Sequence, residues 1–147
     1  MPIDIARGRA WEPPAEWRRV SVIDAHAAGE PLRVVLDGVD PIPGDTIVAK
    51  RAWAGEHLDG LRRGLMFEPR GHADMYGAIV TAAVTADADL GVLFMHNEGW
   101  STMCGHGIIA LTTVAVEERS GDRTGEQPRR DVEERGGARD GGRTEAL

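Results

Sequence analysis

Residues 104–118 read Cys-Gly-His-Gly-Ile-Ile-Ala-Leu-Thr-Thr-Val-Ala-Val-Glu-Glu, and this segment limits the fold more than any other. It predicts a helix on which Ile108, Ile109, Leu111, Val114, Ala115 and Val116 leave almost no polar side. A helix apolar all round must be surrounded by protein. The expectation is an α/β fold in which strands wrap around a central helix.

Those strands are found upstream. Residues 19–24 and 32–36 are β-branched and apolar, with His26-Ala27-Ala28-Gly29-Glu30-Pro31 as the connecting loop and Asp37-Gly38 as a turn signal, so a hairpin is predicted. The prolines and glycine of residues 40–45 break the pattern. Residues 46–65 then place Trp53, His57, Leu58, Leu61 and Leu65 at spacings of three and four, which predicts one helix with an apolar face. A polar loop at residues 68–72 leads to two further apolar runs, residues 76–84 and 90–95, separated by Asp87-Ala88-Asp89. Residues 100–103 read as a polar loop before the apolar helix. These strands are too few to enclose it, and the apolar patch left open favours association, a homodimer included.

Composition narrows the partners. Acidic side chains outnumber basic ones 24 to 17, and the net charge of −7 disfavours phosphate backbones and anionic lipid. Neither nucleic acid nor membrane is expected as a partner; a neutral or zwitterionic small molecule is. Residues 1–17, with Pro2, Pro13 and Pro14 among charged side chains, read as a polar leader without a signal-peptide stretch, and no later run reaches the roughly 20 apolar residues of a membrane span. A cytoplasmic location is expected. Residues 18–118 form the organised part. Residues 119–147 are dominated by Arg, Asp, Glu and Gly and predict a disordered charged tail: a solvated end, the out-of-frame end of an interrupted gene, or an arm for a partner.

The one cysteine, Cys104, excludes an internal disulfide and stands where a polar loop meets the apolar helix, with Gly105 and Gly107 flanking His106. A thiol at a helix start sees unpaired backbone N–H groups and the positive end of the macrodipole, which favour thiolate and lower its pKa. The same N–H groups can hold a carboxylate. A carboxylate bound there would bring the α-carbon of an amino acid to the sulfur, where a thiolate could take the α-proton. Three other readings stand beside this one. Cys104 can be a small buried apolar group; a hydrolase-type Cys-His pair needs residues that face each other, which Cys104 and His106 are not expected to do; and a zinc site from Cys104, His106, His96 and His72 has suitable ligand types without a recognised spacing.

Three blocks carry a resemblance. Residues 26–33 (His-Ala-Ala-Gly-Glu-Pro-Leu-Arg), 66–77 (Met-Phe-Glu-Pro-Arg-Gly-His-Ala-Asp-Met-Tyr-Gly) and 96–107 (His-Asn-Glu-Gly-Trp-Ser-Thr-Met-Cys-Gly-His-Gly) resemble the proline racemase family in composition and order, over roughly residues 18–118. Ala27-Ala28 stands where the family more often has Thr-Gly, and Trp100 where it more often has Tyr.

The resemblance implies the first part of a two-domain, diaminopimelate epimerase-like fold. Each half is a curved sheet around a central helix, and the site lies in the cleft between them. It implies cofactor-independent and metal-independent removal of the α-proton of proline or a hydroxyproline. Cys104 takes the place of the first acid/base cysteine, Gly105 and His106 contact the substrate, and Tyr76 borders the ring pocket. Asp74 and His72 belong to the same block as contacts or as loop-shaping residues; Arg70 and Glu30 read as scaffold. The third block is most similar to trans-3-hydroxy-L-proline dehydratases, which have threonine at the second catalytic position; racemases and epimerases usually have cysteine. That position belongs to an Asp-Arg-Ser-Pro-like block with no counterpart here, so the resemblance predicts the front half of such an enzyme, or a non-catalytic remnant.

Overall fold

The computed structural model describes residues 5–124; residues 125–147, and with them most of the expected charged tail, lie outside the described residues. A short helix, α1 (Ile5–Arg9), stands in the leader. Beyond it, β1 (Ser21–Ala27) and β2 (Glu30–Asp37) pair antiparallel with Ala27 opposite Glu30, so the expected hairpin is present. Its turn is shorter than the sequence suggested. Ala28 and Gly29 have φ of 51° and 93°, the left-handed pair of a two-residue type I′ turn, whose twist matches the flanking strands. His26, Ala27, Glu30 and Pro31 therefore belong to the ladder.

The chain then crosses the sheet. Thr46 caps α2 (Ile47–His57), its hydroxyl accepting the Ala49 N–H at 3.1 Å. The single helix expected over residues 46–65 is in fact two. At Leu58 (φ −115°, ψ 8°) the backbone leaves the helical region, and α3 (Asp59–Met66) starts in a new direction. Asp59 and Gly60 are weak helix formers, and the break lets α3 turn Arg62, Leu65 and Met66 inward while α2 keeps Ala54 buried. This crossover allows β3 (Tyr76–Thr81) to pair parallel with β2, Arg33 opposite Gly77.

β4 (Gly91–His96) pairs antiparallel with β3, and β5 (Gly99–Ser101) with β4, completing a five-stranded mixed sheet in the order β1-β2-β3-β4-β5. β5 corrects the reading of residues 100–103 as loop: Trp100 stands opposite Met95 and Ser101 opposite Phe94.

Both faces of the sheet are covered, which is why β3 and β4 are almost continuously apolar. Val35, Ile79, Leu93 and Met95 pack with Leu58, Leu65 and Met66 on the α2/α3 side. Leu32, Val34, Ala78 and Phe94 pack on the other side with Ala110, Leu111 and Val114 of α4 (Gly105–Thr124).

The sheet covers only one side of α4. Leu111 is 4% exposed and Val114 2%, but Ile108 is 43%, Ile109 39% and Val116 46% exposed. The expectation of a helix enclosed by strands is not met within the described residues, because β1, β2 and β3 pass along one side of it. The Thr112 and Thr113 hydroxyls donate back to the carbonyls of Ile108 and Ile109, so they add no free donor to the open side. No helix among the described residues is long and apolar enough to cross a membrane.

Candidate active site

The residues singled out in the sequence gather at one end of the sheet. Cys104 lies just before α4, its carbonyl accepting the first helical bond from Ile108 N–H at 2.9 Å. The amides of Gly105 and His106, in the first turn, have no intrahelical carbonyl to bond. Cys104 itself is 6% exposed and belongs to the core cluster of Phe94, Ala110 and Leu111. Only glycine fits at residue 107. A Cβ there would lie 2.8 Å from Phe94 Cε1 and 2.9 Å from Cys104 Sγ.

Two expectations about the thiol are overturned. The first is that Cys104 and His106 do not face each other: Sγ lies 3.6 Å from both ring nitrogens of His106. Cys104 precedes the helix, so its side chain escapes helical spacing and folds over the first turn. The second is the lowered pKa. Burial pushes the Cys104 thiol above its ordinary value and the charge of Glu30 adds to this, outweighing the opposing hydrogen bond with the Gly107 backbone. Glu30, taken from the sequence as scaffold, thus acts electrostatically on the sulfur.

Tyr76 links the thiol to a cavity. Its ring meets that of His106 edge-on, with centroids 4.7 Å apart at 85°, and tilts against His96 at 5.5 Å and 41°. Tyr76 and His96 are direct partners across the β3–β4 ladder, a contact the hairpin pattern alone could have revealed. Tyr76 also lines a cavity of about 450 Å³, walled further by Glu68, His72, Asp74, His96 and Glu98. Asp74 adopts a left-handed φ of 65° at its rim. A larger hollow, about 780 Å³, lies beside Trp17, Leu61 and Arg70, and contains none of the candidate site residues. The chemistry of the side chains, not the volume, makes the surroundings of Tyr76 the candidate site.

Arg70, read from the sequence as scaffold, donates from Nε to Gly64 O, and its carbonyl accepts from Arg33. Among the described residues no group of three or more His, Cys, Asp or Glu side chains is placed to hold a metal ion, so Cys104, His106, His96 and His72 are not gathered into one. Sequence reasoning missed Arg62 and Asn97, whose hydrogen bonds tie the β4–β5 turn to α3 and to the segment after it. Arg62 gave no signal, since an arginine in a helix reads as a solvated side chain.

Known proteins similar to this chain fall in one family. The family model described as Proline racemase matches residues 22–132, and so runs past residue 118. A trans-3-hydroxy-L-proline dehydratase of Bacillus thuringiensis subsp. konkukian is 61% identical over 107 residues, 73% of this chain and 32% of that protein. A 3-hydroxyproline 2-epimerase of Burkholderia multivorans is 58% identical over 100 residues, 68% of this chain and 30% of that protein. The solved structure of a hydroxyproline epimerase from Agrobacterium vitis, with bound trans-4-hydroxy-L-proline, has a TM-score of 0.64 at 28% identity, covering 70% of this chain and 31% of that one. The chain thus spans about a third of the length of the curated relatives it matches.

Proposed function

The chain belongs to the proline racemase family, and from that premise we propose that it carries the thiol side of a site that removes the α-proton of a cyclic amino acid, with dehydration of trans-3-hydroxy-L-proline as the activity of the whole enzyme. The whole site would lie in the cleft of a two-domain fold, with α4 enclosed by strands beyond those described. The observation that carries the reading is the placement of Cys104 Sγ against His106, 3.6 Å away, at the mouth of a helix whose first two amides, those of Gly105 and His106, have no intrahelical partner.

In this reading the substrate carboxylate accepts hydrogen bonds from the amides of Gly105 and His106, and the ring lies against Tyr76. Asp74, at the cavity rim, contacts the substrate's polar groups. The Cys104 thiolate takes the α-proton, and the C–H electron pair becomes the C2–C3 double bond as the C3–O bond breaks. The leaving hydroxide takes up a proton and departs as water, giving pyrroline-2-carboxylate; no cofactor or metal enters the balance. A raised thiol pKa makes thiolate scarcer but more basic, which suits a weakly acidic C–H group.

A second reading, epimerisation or racemisation, is favoured by the 58% identity to a 3-hydroxyproline 2-epimerase. It differs in returning a proton to the opposite face of the α-carbon, which a second acid/base group must do.

Incubating the purified chain in D2O with trans-3-hydroxy-L-proline, L-proline or D-proline and following the α-proton by NMR tests the step shared by both readings. Deuteration, or loss of the 3-hydroxyl, is expected with at least one substrate and is expected to vanish in Cys104→Ala. Exchange that persists in Cys104→Ala, or no exchange with any of the three, overturns the proposal for this chain.

A further inference from the structure

The cavity beside Tyr76 has two walls from distant parts of the chain. One is the segment after α3, carrying Glu68, His72 and Asp74; the other is the β4–β5 turn, carrying His96 and Glu98. Asn97 joins the two walls directly, and Arg62 ties the β4–β5 turn to α3, from whose end the first wall runs. Arg62, only 6% exposed, donates through Nη1 to His96 O at 2.8 Å and to Asn97 O at 2.6 Å, and through Nε to Asp59 Oδ1 at 2.6 Å. Asn97 returns the connection: its Nδ2 donates to Met66 O at 2.8 Å and to His72 O at 3.0 Å.

We propose that Arg62 and Asn97 are positioning residues that fix the separation of the two cavity walls, and so preform the pocket for the ring of the substrate. The inference rests on the reading that this pocket receives the substrate. The chemistry argues for geometry over bulk stability. An apolar side chain would fill the place of Arg62 without the desolvation cost of a guanidinium. What it could not do is donate from one nitrogen to two successive carbonyls of a turn while a second nitrogen of the same rigid plane holds Asp59, and lysine has only one nitrogen. His72 O also accepts the Met75 N–H at 3.2 Å, so the carbonyl that Asn97 grips closes the turn in which Asp74 has its left-handed φ of 65°. Releasing that grip frees the wall carrying His72 and Asp74.

The test compares the full chain with Asn97→Ala, Arg62→Lys and Arg62→Met. One arm compares the Cε1–H signals of His72, His96 and His106 by NMR at a single pH. The second measures the concentration dependence of α-deuteration, and a thermal melt accompanies both. In Asn97→Ala the His72 and His96 signals are expected to shift or broaden while that of His106 stays put. The KM should rise roughly ten- to hundred-fold, the scale of a misplacement of about 1 Å. Arg62→Lys should behave like Arg62→Met, because a single ammonium cannot hold the turn and Asp59 together. If Asn97→Ala lowers the melting midpoint but leaves both the histidine signals and KM at parental values, the residues are merely structural and the proposal falls. Should the parent itself show no deuteration, the catalytic reading falls alone, and the histidine arm still decides this one.

Discussion

A single methyl group at residue 107 tests where the sulfur lies. In Gly107→Ala the new Cβ would stand 2.8 Å from Phe94 Cε1, 2.9 Å from Cys104 Sγ and 3.2 Å from Cys104 Cβ. Neither neighbour can swing into solvent, since Phe94 is 4% and Cys104 6% exposed. Overpacking of this kind costs about 1–3 kcal/mol. Against it stands the helix-propensity gain of Gly→Ala, up to about 1 kcal/mol. Gly105→Ala supplies the control, because a Cβ there meets nothing within 4 Å and gains from the same propensity.

The two variants should therefore differ by about 1–3 kcal/mol, with Gly105→Ala at or above the parent and Gly107→Ala at or below it. Urea unfolding followed by circular dichroism reads this difference directly. The methyl also competes for the space of the sulfur, so α-deuteration should fall in Gly107→Ala by more than its loss of stability explains. Equal urea midpoints for the two variants would mean that the thiol and Phe94 do not pack where the structure puts them, and the account of the site would fail with them.

Three further outcomes follow from the same contacts. The folded chain holds the Cys104 proton more tightly than the unfolded chain, so its contribution to stability is full below the ordinary thiol pKa of about 8.5 and is lost as pH rises through the raised folded value; Cys104→Ser should flatten that alkaline slope, and Glu30→Gln should speed alkylation by iodoacetamide at pH 8, an unchanged rate counting against the role given to Glu30. On α4, Leu111→Ala should cost about 2–5 kcal/mol and Ile109→Ala less than about 1 kcal/mol, because only the first is enclosed; equal losses in chemical denaturation would mean that the outer side of the helix is covered. Arg33 holds Asp24 through two bonds of 2.7 Å and donates to the carbonyls of Leu65 at 3.0 Å and Arg70 at 2.6 Å, so Arg33→Met should lose roughly 2–3 kcal/mol; a urea midpoint at the parental value would show that these bonds add nothing.

What could be read from the residues was what depends on neighbours in sequence. Alternation and β-branching marked β1 and β2, and the apolar run after Cys104 marked α4 and its start. The kink at Leu58 was hidden because the spacing of Leu58, Leu61 and Leu65 suits one helix or two, and only the sheet beneath decides. β5 was hidden because Gly99, Trp100 and Ser101 form a strand only by pairing with β4. The direction of the thiol pKa was misjudged for a related reason. The dipole and free amides of a helix start can be inferred from Cys-Gly-His-Gly, but burial against Phe94 and the field of Glu30 come from other strands. A similar limit applied to the Cys104–His106 contact, which depends on how Tyr76 crowds the imidazole.

The register explains why these groups meet at all. Ala27 faces Glu30 across the first hairpin, Tyr76 faces His96, and His96 faces Gly99, while β2 and β3 run parallel with Arg33 level with Gly77. Glu30, Tyr76 and His96 therefore share one end of the sheet, and α4 begins at that end with Cys104. A parallel β2–β3 pair forces the chain to return through α2 and α3 before β3 can start. That return puts Arg62 beneath the β4–β5 turn and brings the His72–Asp74 segment beside Tyr76. The two helical layers consequently do separate jobs at the same edge: α4 delivers a buried thiol with unpaired amides, and α3 with its following loop sets the width of the pocket next to it. Loss of the parallel register, by even one residue, would move Tyr76 to the α3 face and separate the thiol from the pocket, whatever the stability of either layer.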